Sequence, residues 1–214
     1  MNFDEAEQTT MLRDTLRRFV EKEMPRELAR TLDKNASYSR EAFRKLCELG
    51  VTALAVPEEY GGSGVDILSA IVVIEELAKR GTSLAGPFIH CAFYGALNIL
   101  ENGNEAQKAD LLPKFARGEI LFAYGLSEPD VGGDLASATV TATLNPDGKS
   151  VVINGTKRWV TGARIADYVY TLVRSGPKAE RYGNLSLVLV PTNSRGLTIV
   201  DIDHIGLRYA ETTD

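Results

Sequence analysis

The 214-residue sequence predicts an α+β protein in which an all-α helical bundle precedes a small β-barrel or β-sandwich domain. Two observations predict this order. Apolar residues recur at three- and four-residue spacing through the first half of the chain, which is typical of amphipathic helices. After Gly118 the pattern changes to short runs rich in Val, Leu, Ile and Tyr, separated by Gly, Pro, Asn and Ser. The predicted domains are therefore residues 1–120 and 121–214.

Two surface helices are predicted first. One apolar stripe stops at Pro25, and Ser39 can cap a second helix that Gly50 ends. The predicted inward residues are Met11, Leu12, Leu16, Phe19, Val20 and Met24 on the first helix, and Phe43, Leu46, Cys47 and Leu49 on the second.

Further helices are predicted up to Gly118. The run from Ile67 to Ala78 is apolar nearly all round, which predicts a central, buried helix behind Asp66. A second apolar stretch, Leu84 to Leu100, precedes an approximate capping box of Asn104 and Gln107. We expect no apolar run to reach membrane-spanning length, and hence no membrane insertion.

The second half is predicted to form strands. Residues 138–144 alternate in polarity, a turn follows at 145–148, and residues 151–154 resume the extended pattern, which predicts a hairpin. Three further strands are expected at Tyr168 to Val173, Leu185 to Val190 and Leu197 to Ile202. Because the chain stops at Asp214, where another strand is expected, we expect this domain to be truncated.

Composition excludes several classes of function. A net charge of −5 argues against a protein that tracks nucleic-acid phosphates. Cys47 and Cys91 lie among apolar residues and are predicted to be small core residues, while His90 and His204 give no metal-ligand spacing, so no metal site is predicted. The polar N-terminus is no export or transit signal, which predicts a bacterial-type cytoplasm, or the mitochondrial matrix if a presequence is missing.

One candidate binding segment spans residues 122–137. A strand delivers Ser127 into a turn where Pro129, Gly132 and Gly133 leave backbone N–H groups available and permit close approach of a ligand. Such a loop suits a flat cofactor or a pyrophosphate. The alternative is an entry loop whose glycines serve only to turn the chain.

A second candidate segment spans residues 154–162 and holds the single tryptophan. In an extended run, alternation places Trp159 and Thr161 on one face, where an indole can pack beside a ring system while a hydroxyl donates to it. The alternative is an ordinary core tryptophan.

Together these segments resemble the acyl-CoA dehydrogenase family in order and spacing. The shared motifs are Val56-Pro-Glu-Glu-Tyr-Gly-Gly-Ser-Gly64, Glu75-Glu-Leu-Ala78, Asn104-Glu-Ala-Gln-Lys108, Leu112-Pro113 with Gly118, Gly125-Leu-Ser-Glu-Pro129, Gly155-Thr-Lys-Arg-Trp-Val-Thr161, Ile165-Ala-Asp-Tyr168 and Gly206-Leu-Arg208. The resemblance implies an FAD enzyme that removes hydrogen from the α and β carbons of an acyl-CoA, giving a trans-2-enoyl-CoA.

The resemblance also implies roles for particular residues. Nine residues would bind FAD: Tyr124, Gly125, Leu126 and Ser127 on the pyrimidine side, Gly132 and Gly133 near the phosphates, and Trp159, Val160 and Thr161 beside the isoalloxazine ring. Gly133 would also meet the substrate's CoA arm, but the family usually has Ser or Thr there, which puts that contact in doubt.

The family's third, helical domain carries the usual catalytic glutamate, and no counterpart of it is found in this sequence. We therefore nominate no catalytic residue and expect residues 1–214 alone to be inactive. Two alternatives stay open: a non-catalytic or half-site subunit of a heteromeric acyl-CoA dehydrogenase, and a flavin monooxygenase of the same fold. The implied partners are acyl-CoA, an electron-transferring flavoprotein as electron acceptor, and further copies of the chain in a homodimer or homotetramer.

Overall fold

The computed structural model describes residues 5–177, 181–203 and 205–206, which divide into two compact units at Leu121 and Phe122. The first unit is helical and the second is built on a mixed sheet, so the α+β fold class is confirmed. His204, Leu207 and Arg208, which the sequence analysis singled out, lie outside the described residues.

The helical unit consists of helices and one short antiparallel pair of strands. Its elements are α1 Glu7–Glu23, α2 Arg26–Lys34, α3 Arg40–Glu48, the short antiparallel pair β1 Ala55–Val56 and β2 Gly64–Val65, α4 Ile67–Ala78, α5 Thr82–Ile89, α6 Asn98–Asn102 and α7 Glu105–Ala116. The predicted caps are confirmed. Ser39 accepts a hydrogen bond from the Ala42 N–H at 3.1 Å, and Asn104 and Gln107 form the complete capping box, each bond 2.9 Å long.

Two residues predicted to face inward on the first helices are exposed. Leu16, Val20 and Met24 form a buried row at four-residue spacing, and Met11 lies outside this row. Leu49 follows the last residue of α3, where the helical spacing no longer determines which way a side chain points.

The prediction that α4 is buried all round was wrong. Ala70, Val73 and Leu77 are buried where α4 packs against α1 and α5, but Leu68 is 79% exposed and Ile71 is also exposed. An apolar sequence on every side does not provide neighbours on every side, and the described residues cover only one face of this helix.

The stretch after Gly81 forms one helix of 21 residues, Thr82–Asn102, made of α5, a π-helical segment at His90–Leu97 and α6. It is long and apolar enough to cross a membrane, so the expectation about run length was wrong, because polar residues such as His90 and Asn98 do not lower the mean hydropathy enough. However, 67% of its most apolar window is buried within the protein. Gly95 permits this burial, since a Cβ there would lie 2.0 Å from the Phe115 ring.

The two cysteines lie in this unit. Cys91 is fully buried, and its Sγ lies 3.2 Å from the Phe115 carbonyl oxygen, so its prediction as a small core residue is confirmed. Cys47 is half-buried, and burial raises the pKa of its thiol to about 11. Burial also raises the pKa of the Cys91 thiol, so neither thiol is a thiolate near neutral pH.

Strand β6 organises the second unit. The strands are β3 Phe122–Gly125, β4 Thr141–Leu144, β5 Val151–Asn154, β6 Tyr168–Arg174 and β7 Leu185–Pro191. Along one edge β6 pairs antiparallel with β7, and along the other it pairs parallel with β3 and, at Arg174, with β4. The predicted hairpin is confirmed as β4 and β5, although β4 begins later than expected.

The predicted strand at Leu197 to Ile202 was wrong. Within the described residues this segment shows only an isolated bridge at Asp201. Ile199 packs against the core of the β unit, and Asp201 pairs with Arg164 instead. Strand-like composition yields a strand only where a neighbouring backbone is available for pairing.

A charged cluster joins α1 to α4. The Glu76 carboxylate is 1% exposed and meets three cations: Arg13 at 2.7 Å, Lys79 at 2.7 Å and Arg17 at 3.3 Å. Burial alone would raise the pKa of Glu76, but the hydrogen bonds from Lys79 and Arg13 outweigh it and lower that pKa. Glu76 therefore holds the two helices together as an ionised group.

We expect Glu76→Gln to lower the free energy of unfolding by about 1.5–3 kcal/mol, because it weakens the charge-assisted hydrogen bonds that Arg13, Lys79 and Arg17 donate to a buried carboxylate. The matched control is Glu75→Gln, whose exposed carboxylate contacts Arg13 at 3.0 Å and should contribute less than about 1 kcal/mol. Urea denaturation followed by circular dichroism measures both. Equal effects of the two variants would contradict the structural role of Glu76.

Candidate functional site

The first loop of the candidate site starts at the end of β3. Parallel pairing with β6 places Gly125 opposite Thr171. A Cβ at Gly125 would lie 3.0 Å from a Val169 methyl carbon, so a larger residue would be tightly packed there. Tyr124 is half-buried, with its ring centroid 5.8 Å from that of Tyr170. The strand therefore delivers the next residues, Leu126 to Glu128, from a rigid base.

Glu128 anchors this loop. Its side chain is 2% exposed and accepts hydrogen bonds from the Thr139 N–H at 2.8 Å, the Thr139 hydroxyl at 2.6 Å, the Val140 N–H at 3.0 Å and the Lys157 ammonium at 2.8 Å. Burial alone would raise the pKa of Glu128, but these donors outweigh it and lower the pKa to about 2. Glu128 is thus a buried anchor that is ionised near neutral pH.

Lys157 brings the second candidate segment to the first. Its ammonium donates to Glu128 and, at 3.0 Å, to the Leu126 carbonyl oxygen, while the Arg158 N–H donates to the Ser127 carbonyl oxygen at 2.9 Å. Burial lowers the pKa of Lys157, and Glu128 opposes that shift. The two predicted segments therefore form one structure, the double loop of residues 126–128 and 157–161.

The expectation that Trp159 lies in an extended run was wrong. Trp159 has φ of +58°, and the Thr161 N–H donates to the Trp159 carbonyl oxygen at 3.0 Å, so the chain turns there. The two side chains therefore cannot be placed on one face by strand alternation. The chain turns at Trp159 because it is held on both sides. Lys157 is bonded to the first loop before the turn, and Val160 is buried in the core of the β unit after it.

Trp159 is not a core residue either. Its side chain is 53% exposed, and the Arg158 guanidinium lies 5.2 Å from the indole centroid. The side chain of Val160 is buried, so this residue can meet a ligand only through its backbone. Ser127 and Thr161 are half-buried, and their hydroxyls bond to no other described residue, which leaves both available to a ligand.

The glycine pair lies just after a tight turn. Glu128 and Val131 exchange hydrogen bonds of 2.8 and 3.2 Å, closing a turn over Pro129 and Asp130. Gly132 and Gly133 are exposed, lack positive φ, and an added Cβ at either would meet no atom within 4 Å. Neither backbone strain nor internal packing explains the two glycines, and no described residue accepts from their N–H groups.

Of the predicted site residues, the structure joins Leu126 and Ser127 to the segment that holds Trp159 and Thr161. It gives no hydrogen bond between this segment and Gly132 or Gly133 among the described residues. Sequence reasoning missed the Glu128 and Lys157 ion pair. The available signal was an acidic residue, Glu128, in the first motif and the basic pair Lys157 and Arg158 in the second.

Two family models match the chain: the acyl-CoA dehydrogenase N-terminal domain over residues 6–119 and the acyl-CoA dehydrogenase middle domain over residues 123–214. The chain belongs to the acyl-CoA dehydrogenase family. The resemblance read from the sequence motifs is therefore confirmed.

Relatives of known sequence or structure agree. A probable acyl-CoA dehydrogenase, YngJ of Bacillus subtilis, is 33% identical over the whole chain and 56% of its own length. The crystal structure of an acyl-CoA dehydrogenase from Geobacillus kaustophilus matches with a TM-score of 0.90 and 30% identity, covering 100% of this chain and 56% of that one. A Bacillus anthracis acyl-CoA dehydrogenase complexed with FAD matches with a TM-score of 0.84 and 29% identity, covering 98% and 35%. The chain spans about half the length of the relatives it matches.

The ion pair predicts a pH dependence of stability. The folded-state pKa of Glu128, about 2, lies below its ordinary value of 4.5, so the stabilisation is fully present above about pH 4.5 and is lost as the pH falls toward 2. We expect this group to contribute about 3 kcal/mol across that window. The measurement is the free energy of unfolding between pH 6 and pH 2, compared with that of Glu128→Gln.

A double-mutant cycle separates this pair from other acidic groups. Glu128→Gln alone leaves the Lys157 ammonium buried without its carboxylate and should cost more stability than Glu128→Gln combined with Lys157→Met. Additive losses, or the same pH slope in the wild type and Glu128→Gln, would show that the pair does not organise the double loop.

Proposed function

We propose that the protein containing these two domains catalyses FAD-dependent α,β-dehydrogenation of an acyl-CoA thioester to a trans-2-enoyl-CoA. One observation carries this proposal beyond family membership. The double loop holds Trp159 exposed and the Ser127 and Thr161 hydroxyls available, all on a support anchored by a buried ion pair. Such an arrangement is suited to a flat ring system that needs both stacking and hydrogen bonds.

The described residues fit FAD. The half-buried Ser127 and Thr161 hydroxyls can donate to the ring's polar edge, and the indole of Trp159 can cover its apolar face. Gly132 and Gly133 supply accessible N–H groups with no side chain in the way, which suits phosphate oxygens. The proposed FAD-binding residues are those predicted from the sequence, with Val160 acting through its backbone alone.

When bound, the flavin would accept a hydride. The residues of this chain position it and stabilise the arriving charge, because donors fixed by folded structure need no reorganisation during the reaction. Removal of the α-proton requires a general base. Glu128 cannot serve, since its carboxylate is buried and already accepts four hydrogen bonds. We propose that the base lies outside residues 1–214.

Three partners follow from this proposal: acyl-CoA, an electron-transferring flavoprotein that reoxidises the flavin, and a second or further copy of the chain. A flavin monooxygenase of the same fold would instead consume oxygen with reduced flavin. Steady-state oxygen consumption by the complete protein, measured with and without an electron-transferring flavoprotein, distinguishes the two.

The direct test is flavin binding. Residues 1–214 are mixed with FAD, and bound flavin is followed by absorbance. Thr161→Val should shift the flavin absorbance or reduction potential while leaving the unfolding transition nearly intact, because the half-buried Thr161 hydroxyl bonds to no described residue.

The matched control is Thr143→Val, which removes a hydroxyl from an exposed position of β4. It should change neither flavin property. A variant at Thr161 that loses stability with unchanged flavin properties would show a structural role instead. Dehydrogenation of an acyl-CoA panel by residues 1–214 alone would place the base within them and contradict the proposal.

Gly133→Ser tests the phosphate end of the site. An added Cβ at Gly133 meets no atom within 4 Å, so the fold should tolerate a serine there. We expect the serine hydroxyl to tighten phosphate or acyl-CoA binding by up to about tenfold, equivalent to one charge-assisted hydrogen bond. The control is Gly206→Ser, at another exposed glycine that lacks positive φ and where an added Cβ meets no atom within 4 Å. Unchanged or weaker ligand binding by Gly133→Ser, measured by titration of the complete protein, would count against Gly133 in the ligand loop.

A further inference from the structure

A cleft of about 350 Å³ lies in the helical unit. It is formed by α2, the end of α4 and the start of α5, and its lining comprises Arg26, Ala29, Arg30, Asp33, Lys79, Arg80, Gly81, Thr82 and Ser83. This volume falls at the lower end of the range for small-molecule sites, roughly 300–1,000 Å³.

The lining is strongly basic in a chain whose net charge is −5. Lys79 is paired with Glu76, but the guanidinium groups of Arg26, Arg30 and Arg80 form no hydrogen bond or ion pair with any described residue. The single acidic lining residue, Asp33, forms no ion pair either. Three guanidinium groups thus share one cleft without internal counterions.

The start of a long helix opens into the same cleft. Gly81 precedes α5 with φ of +101° and no side chain to cap the first turn, and the first turn contains no acidic residue. The helix continues to Asn102. By contrast, α3, α4 and α7 each begin with a capping side chain. The partial positive charge of this helix end is therefore left without an internal acceptor.

Ser83 adds an independent observation. It is 4% exposed, it lines the cleft, and its hydroxyl makes no hydrogen bond to any described residue. Its oxygen is not enclosed away from solvent, so a ligand in the cleft can reach it. A ligand oxygen in the cleft would satisfy it.

We propose that this cleft binds a phosphate group of a small organic phosphate. A phosphate offers several oxygens to donors that converge from different directions, and here these are the first N–H groups of α5, the Ser83 hydroxyl and the arginine side chains. Planar guanidinium groups match phosphate oxygens in pairs. The cleft lies wholly within the helical unit, so the inference does not rest on the proposed flavin chemistry.

The experiment is calorimetric titration of residues 1–214 with inorganic phosphate, AMP and adenosine at low ionic strength. We expect one phosphate-dependent site per chain. Ser83→Ala and Arg80→Gln should each weaken phosphate and AMP binding by about tenfold, the equivalent of one charge-assisted hydrogen bond. The control is Arg18→Gln, which removes one exposed positive charge on α1 outside the cleft lining and should leave binding within about twofold.

The outcomes distinguish the ligand source. Tighter binding of AMP than of inorganic phosphate supports an organic phosphate. Adenosine binding as tightly as AMP, equal affinity for inorganic phosphate and AMP, or no binding of either phosphate compound at 10 mM would overturn the proposal. A similar loss in Arg18→Gln would show general charge attraction, which also overturns it. Thermal unfolding without ligand checks that each variant is folded.

Discussion

The buried ion pair of Glu128 and Lys157 is the interaction on which the candidate site depends. It connects two loops that are separated by about thirty residues of sequence. The hairpin of β4 and β5 lies between them along the chain. An isolated charge of either sign would be costly at this depth, so each residue is tolerable only beside the other. The pair therefore fixes the position of one loop relative to the other. It also fixes where the residues that follow Lys157 begin.

The left-handed backbone of Trp159 follows from this anchoring. Lys157 and Arg158 are bonded to the first loop, while Val160 is buried in the core of the β unit, so only one residue remains to turn the chain between them. A bulky residue with positive φ is uncommon and persists where its surroundings impose it. The result is an exposed indole, which explains why the single tryptophan is not part of the core of the β unit.

The helical unit shows a comparable division between rigid support and available surface. Gly95 lets the long helix approach Phe115, and Glu76 joins α4 to α1, so the start of α5 has a well-supported position. Its first turn and the arginines of the cleft nonetheless lack internal acceptors. Stabilising contacts and open donors thus lie on neighbouring parts of the same elements.

The sequence alone determined the helix caps, the hairpin, the change from helix to strand and the family, because each depends on residues close together in the chain or on motif order. Only the tertiary structure decided the rest. Leu68 is exposed, residues 197–202 form no strand and Trp159 turns outward, because burial, strand pairing and anchoring depend on distant partners. The motifs supplied the candidate site residues, but periodicity could not show that Glu128 and Lys157 meet. Their contact is a property of how β3 and the segment after β5 fold together.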